Sequence, residues 1–88
     1  MGNSEEVVTE AVVETLSGLF PDKVNIHIDS NPIEDLGLES VDGILFAPRL
    51  AKKLGIIIPD RENLLVDRDR KTRSVRQIVD VVLALSGR

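Results

Sequence analysis

Apolar residues recur at three- and four-residue steps in three stretches of the chain, separated by segments that lack this period. Val8, Ala11, Val12, Leu16, Leu19 and Phe20 predict an amphipathic helix over residues 4–20. Asn3 or Ser4 suits its N-cap, and Glu5 and Glu6 suit the positive end of its dipole. Gly18 and Pro21-Asp22 mark its end. In residues 40–54, Ile44, Ala47, Ala51 and Leu54 fall along one helical face, with Leu50 beside them and Gly55 as the stop. In the last stretch Val75, Ile78, Val79, Val82 and Leu83 face inward, and Gly87 marks a frayed end. Ser74-Val75-Arg76-Gln77 has the Ser-x-x-Gln spacing of a capping box and opens that helix.

The connections carry their own signals. In residues 21–39, Val24, Ile26 and Ile28 alternate with polar residues, a strand pattern when taken alone. No second strand is present to pair with it, so the segment reads as a long loop pinned to the core by its aliphatics. Asp29-Ser30-Asn31-Pro32 is turn chemistry. Pro48 lies inside the second helix and removes the hydrogen bond to the Ile44 carbonyl, at a cost of about 3 kcal/mol. A kink or break is therefore expected near Ile44–Ala47. Ile56-Ile57-Ile58 should run extended into Pro59. Asp60 suits the cap of a short helical turn over Arg61–Val66 that inserts Leu64 and Leu65. Residues 67–73 are all polar and read as solvated loop.

Three longer helices and one short third helix, with a long first loop, predict an all-α fold, a small four-helix bundle around one apolar seam. The 88 residues are read as a single domain, 1–88. A chain this short buries only about 60–65% of its unfolded surface.

Composition narrows the function. There is no cysteine, which excludes disulfides and thiolate metal sites. No signal-peptide pattern and no apolar run of bilayer length is present, so the expected home is the cytoplasm, without membrane insertion. Met1-Gly2-Asn3-Ser4-Glu5-Glu6 lacks the Ser or Thr that a myristoylation site needs at its sixth position. Two aromatics, Phe20 and Phe46, and a net charge of −4 oppose nucleic-acid binding. A helix-turn-helix reader built on the basic 61–76 segment is disfavoured on the same grounds. Charge is unevenly spread: residues 1–47 hold ten acids and one base, residues 48–88 five acids and ten bases. Both signs are thus available for docking partners.

Asp35-Leu36-Gly37-Leu38-Glu39-Ser40-Val41-Asp42-Gly43 is the most informative stretch. A glycine turn leads into Ser40 at a helix mouth, with its hydroxyl expected to be exposed. On that feature alone, a serine there is ordinarily a cap. No general base accompanies it. His27 is the only histidine and reads as an exposed loop residue, so no hydrolase is implied.

The same stretch resembles the prosthetic-group site of acyl carrier proteins and related peptidyl carrier domains. Asp35-Leu36-Gly37, Ser40 and Asp42 match their signature, with Glu39 standing for Asp and Val41 for Leu. The likeness continues through Leu54-Gly55, Ile58-Pro59, Ser74-Val75, Ile78-Val79-Asp80 and Val82, roughly from Leu16 to Leu83. The resemblance implies a carrier and not an enzyme, with 4′-phosphopantetheine from coenzyme A attached covalently at Ser40. It implies a monomer whose partners are a phosphopantetheinyl transferase and enzymes that load and process acyl groups. Glu34, Asp35, Glu39 and Asp42 then form an acidic collar for docking, with Val41 and Leu45 beside it. The plainer reading of the four acids is a solvated loop and favourable helix-start charge. Ile44, Ala47 and Leu64 are candidates to line an acyl slot, or else are core.

The departures from the family pattern point to dedicated partners. Where fatty-acid-synthesis carriers keep their second helix acidic, this chain has Leu45, Ala51, Lys52 and Lys53, with Arg49 added. Leu45, Phe46 and Pro48 give that helix an apolar surface, and Pro59–Ser74 is longer and more basic than usual. The expected role is a specialised carrier in lipid or secondary-metabolite biosynthesis, not the housekeeping carrier of fatty-acid biosynthesis. A peptidyl, aminoacyl or polyketide carrier domain, and an unmodified carrier-like helical interaction module, remain alternatives.

Overall fold

The computed structural model describes residues 4–23, 25–59 and 62–87. Asn3, Val24, Asp60 and Arg61, which enter the expectations above, lie outside them. Three α-helices are found: α1 (Glu5–Leu19), α2 (Gly43–Leu54) and α3 (Val75–Ser86). A 3-10 turn, Ser40–Asp42, runs straight into α2. Helix α1 is central and packs on both of the others.

Helices α1 and α3 form where their sequence signals lie. The Ser4 hydroxyl accepts the Val7 N–H at 3.2 Å. Val8, Ala11, Val12 and Leu16 are buried, while Leu19 and Phe20 pack against the core half-buried. The Ser74–Gln77 capping box is present: Gln77 N–H donates to the Ser74 hydroxyl at 3.2 Å, and Ser74 N–H donates to the Gln77 carbonyl oxygen at 2.9 Å. The Gly87 N–H closes the last turn on the Leu83 carbonyl at 3.0 Å.

The long first loop is fastened to α3. The first N–H groups of a helix lack intrahelical partners. Here Val75 N–H donates to the Ser30 carbonyl at 2.8 Å, and Arg76 N–H to the Ile28 carbonyl at 2.9 Å. Ser30 is itself buried, and its hydroxyl accepts the His27 N–H at 3.0 Å. Ile26 and Ile28 are half-buried and belong to no strand, so the loop is pinned as the alternation suggests.

Three expectations are corrected. The short third helix, whose expected start at Asp60 and Arg61 lies outside the described residues, is not found among those described, which form three α-helices where a four-helix bundle was expected. Residues 64–73 fold back as a narrow loop. Val66 bridges Thr72, and Arg73 N–H donates to the Leu65 carbonyl at 2.9 Å. Asn and Asp side chains that accept nearby N–H groups compete with a helix. The Asn63 amide oxygen takes the Leu65 N–H at 2.9 Å, and Asp67 takes those of Asp69 and Lys71 at 2.8 and 2.9 Å. Leu64 and Leu65 still reach the core, where both are fully buried.

The inward face of α2 is also different. Phe46, expected at the surface, is fully buried with Leu50, and Ala47 is buried beside them. Ile44, expected inside, is 68% exposed. Finally, of the kink or break expected near Ile44–Ala47, the break does not occur: α2 runs continuously from Gly43 to Leu54. Ile44 and Pro48 are both exposed, so the carbonyl that loses its partner lies on the wet face.

Candidate functional site

Ser40 is exposed and opens the 3-10 turn that leads into α2. The chain reaches it through Gly37, whose φ of +79° is a conformation that only glycine adopts without strain. The cap is not the serine, contrary to its ordinary role. Glu39 holds the N-cap position, and the Asp42 carboxylate reaches back to accept the Glu39 N–H at 2.8 Å. The Ser40 side chain is thereby left to point at solvent, while its backbone is fixed from below.

That fixing comes from Asn63, a residue the sequence did not single out. Its amide nitrogen donates to the Ser40 carbonyl at 2.9 Å while its amide oxygen accepts the Leu65 N–H. Arg73 in turn donates to the Asn63 carbonyl at 3.0 Å. The Asn63 amide fills the space beside buried Gly43, where a Cβ would overlap it. An Asn directly before a buried leucine pair signals a local turn. Nothing local signals a link to a serine 23 positions away.

This seat gives a testable sign reversal. Gly43→Ala should destabilise the fold by about 1 kcal/mol. Displacing the Asn63 amide loses two hydrogen bonds at about 1 kcal/mol each, against a helix-propensity gain of about 1 kcal/mol. In an Asn63→Ala background the same substitution should stabilise, because only the propensity gain remains. Urea denaturation of the four proteins reads both signs.

The carboxylates of the expected collar are largely committed inside the structure. Asp35 accepts the Asn31 N–H at 2.7 Å, and Asn31 accepts the N–H groups of Ile33 and Glu34 at 3.1 and 3.0 Å. The Asn31 amide donates to the Thr72 hydroxyl at 2.9 Å, and that hydroxyl donates to Glu34. Asp35, Glu34 and Asp42 thus hold the loop and the turn that present Ser40. All three remain near the surface, as does Glu39.

Val41 and Leu45 are 55% and 57% exposed on the helix face that follows Ser40. A cleft of about 460 Å³ lies alongside, lined by Ile44, Ala47 and Pro48 of α2 and by Ile58, Pro59 and Glu62 opposite. Of the expected slot residues, Ile44 and Ala47 line it, whereas Leu64 is core. His27 is exposed in the loop. Among the described residues no cluster of His, Asp and Glu is placed to hold a metal ion. None of the helices among them is long and apolar enough to cross a membrane.

The family described as "phosphopantetheine attachment site" matches residues 8–65. An acyl carrier protein from Campylobacter hominis is 49% identical over 57 residues, covering 65% of this chain and 68% of the relative. No solved structure matches.

Proposed function

This chain belongs to the phosphopantetheine attachment-site family of acyl carrier proteins, and from that premise we propose that it carries acyl groups as thioesters on an arm joined to Ser40. It is a carrier and not a catalyst, and its prosthetic group is covalent 4′-phosphopantetheine. That group supplies the thiol which a cysteine-free chain lacks.

The observation that carries the assignment to Ser40 is its presentation: an exposed hydroxyl on the first residue of a helical turn whose backbone Asn63 and Asp42 hold in place. The residues fit the group. A phosphodiester at this position would sit at the positive dipole end of the turn and α2. The apolar cleft beside Ile44 and Pro48 offers a place for the arm or the start of an acyl chain to lie.

In the same reading, a phosphopantetheinyl transferase and acyl-loading and acyl-processing enzymes dock around Glu34, Asp35, Glu39, Val41, Asp42 and Leu45. The chain works as a monomer in the cytoplasm, with residues 1–88 as one carrier unit. The basic C-terminal half of α2 supports a specialised carrier over the housekeeping one. Like charges across an interface slow encounter and reject partners built for the opposite sign.

Incubation with coenzyme A and a broad-specificity transferase, followed by intact mass, tests the attachment. A gain of one phosphopantetheine group is expected, and none in Ser40→Ala. No gain with several transferases would overturn the reading. The specialised role predicts that a generic fatty-acid ketosynthase and reductase process the loaded protein more slowly than their own carrier.

A further inference from the structure

We propose that Asn63 is a positioning residue for the modification of Ser40. Its amide fixes the helical register of the turn, and with it the direction in which the Ser40 hydroxyl is offered to the transferase. Arg73 acts through Asn63. The proposal rests on the carrier reading and deepens it, by assigning what aims the acceptor hydroxyl.

The Ser40 carbonyl carries the argument. It accepts the Gly43 N–H from three residues on, as a 3-10 turn requires, and the Asn63 amide nitrogen at 2.9 Å. An α-helical register would bring the Ile44 N–H to that oxygen instead. Successive residues turn by about 120° in a 3-10 helix and by about 100° in an α-helix. Ser40 stands three residues ahead of Gly43, where α2 begins. The two registers therefore aim its side chain roughly 60° apart.

The amide is itself held from the core. Its oxygen accepts the Leu65 N–H at 2.9 Å, and Leu64 and Leu65 are fully buried. That bond also decides which end of the amide faces Ser40, since the nitrogen end alone can donate. Arg73, half-buried, braces the same segment twice. Its guanidinium donates to the Asn63 carbonyl at 3.0 Å, and its N–H donates to the Leu65 carbonyl at 2.9 Å. A change of register would swing the Ser40 carbonyl away from a donor that cannot follow it.

Transfer joins the Ser40 Oγ to the phosphorus of the pantetheine phosphate and breaks the phosphoanhydride of coenzyme A. Adenosine 3′,5′-bisphosphate leaves, and the hydroxyl proton passes to a base of the transferase. These reacting atoms are the same in either register. A chain that must first regain the right register binds with its affinity reduced by the fraction already in it. Loss of Asn63 therefore falls on the KM for the carrier and leaves kcat in place.

Steady-state modification of the full chain by a broad-specificity transferase, with coenzyme A saturating, reads this split. Asn63→Ala should raise the KM for the carrier by about fivefold, the equivalent of one lost hydrogen bond, with kcat unchanged. Asn63→Asp keeps the acceptor for the Leu65 N–H but has no donor for Ser40, so it should not restore the wild-type KM. Arg73→Met should raise KM by about twofold alone and add nothing in Asn63→Ala, where no amide is left to brace. Ile78→Val, a core change on α3 outside these hydrogen bonds, lowers stability and should leave KM where it is. An unchanged KM in Asn63→Ala, a rise matched by Ile78→Val, or a fall in kcat alone would overturn the proposal and leave the assignment of Ser40 standing. An Arg73→Met effect that persists in Asn63→Ala would place Arg73 against the transferase and overturn its action through Asn63. A wild-type chain that takes up no phosphopantetheine overturns the carrier reading and this proposal with it.

Discussion

Phe46→Ala should cost about 3–5 kcal/mol of stability, the largest loss expected from any single change to this protein. Domains of this size have a total stability of roughly 5–15 kcal/mol. The variant should therefore sit near or below its folding threshold at 37 °C. Phe46 is fully buried and is the largest side chain in the core it shares with Leu16, Leu50, Leu64, Leu65 and Ile78. Few neighbours can collapse into the space it leaves, because α1 is held by both other helices and the 62–66 loop is tied down by Asn63. Urea denaturation followed by circular dichroism measures the loss. Ile44→Ala is the control. With that side chain 68% exposed, its removal should change stability by less than about 0.5 kcal/mol.

Pro48→Ala should act in the opposite direction, stabilising the fold by about 2–3 kcal/mol. Pro48 lies in the interior of α2, where alanine restores the N–H that the Ile44 carbonyl lacks. The proline ring is exposed, so little packing is lost with it. For a domain of this size the gain corresponds to a rise in Tm of roughly 10–20 °C. Thermal melts at matched concentration read it directly, and an unchanged or lower Tm would show that the ring itself supports the helix.

The sequence was most legible where one signal decided the outcome. Ser4 and Ser74 stood as caps at the start of clean helical periods, and α1 and α3 form there. The left-handed turn at Gly55 closes α2 at its expected end. The α2 face was harder to read, because Ile44, Leu45, Phe46, Ala47 and Leu50 support more than one helical phase. Arg49, Lys52 and Lys53 mark the wet side and exclude Leu45 from the core, but they leave Ile44 at its edge. Tertiary packing chose Phe46 and Leu50.

The segment around Leu64 and Leu65 misled for a different reason. Two adjacent leucines after an aspartate suggest a helical turn, yet Asn63 and Asp67 each bind a backbone N–H two residues on and hold the chain in a loop. At the candidate site, the exposure of Ser40 and the acids around it were legible. Their mutual support was not. The Thr72 contact to Glu34 spans 38 positions and the Asn63 contact to Ser40 spans 23, and neither leaves a local pattern.

The central claim is that Ser40 bears the prosthetic group, and fragmentation of the modified protein tests it most directly. The chain is loaded with coenzyme A and a transferase, digested and sequenced by tandem mass spectrometry. The added mass should map to Ser40 alone, within the peptide that contains Glu39-Ser40-Val41. Modification at Ser4, Ser17, Ser30, Ser74 or Ser86, or an unmodified Ser40 after exhaustive incubation, would contradict it.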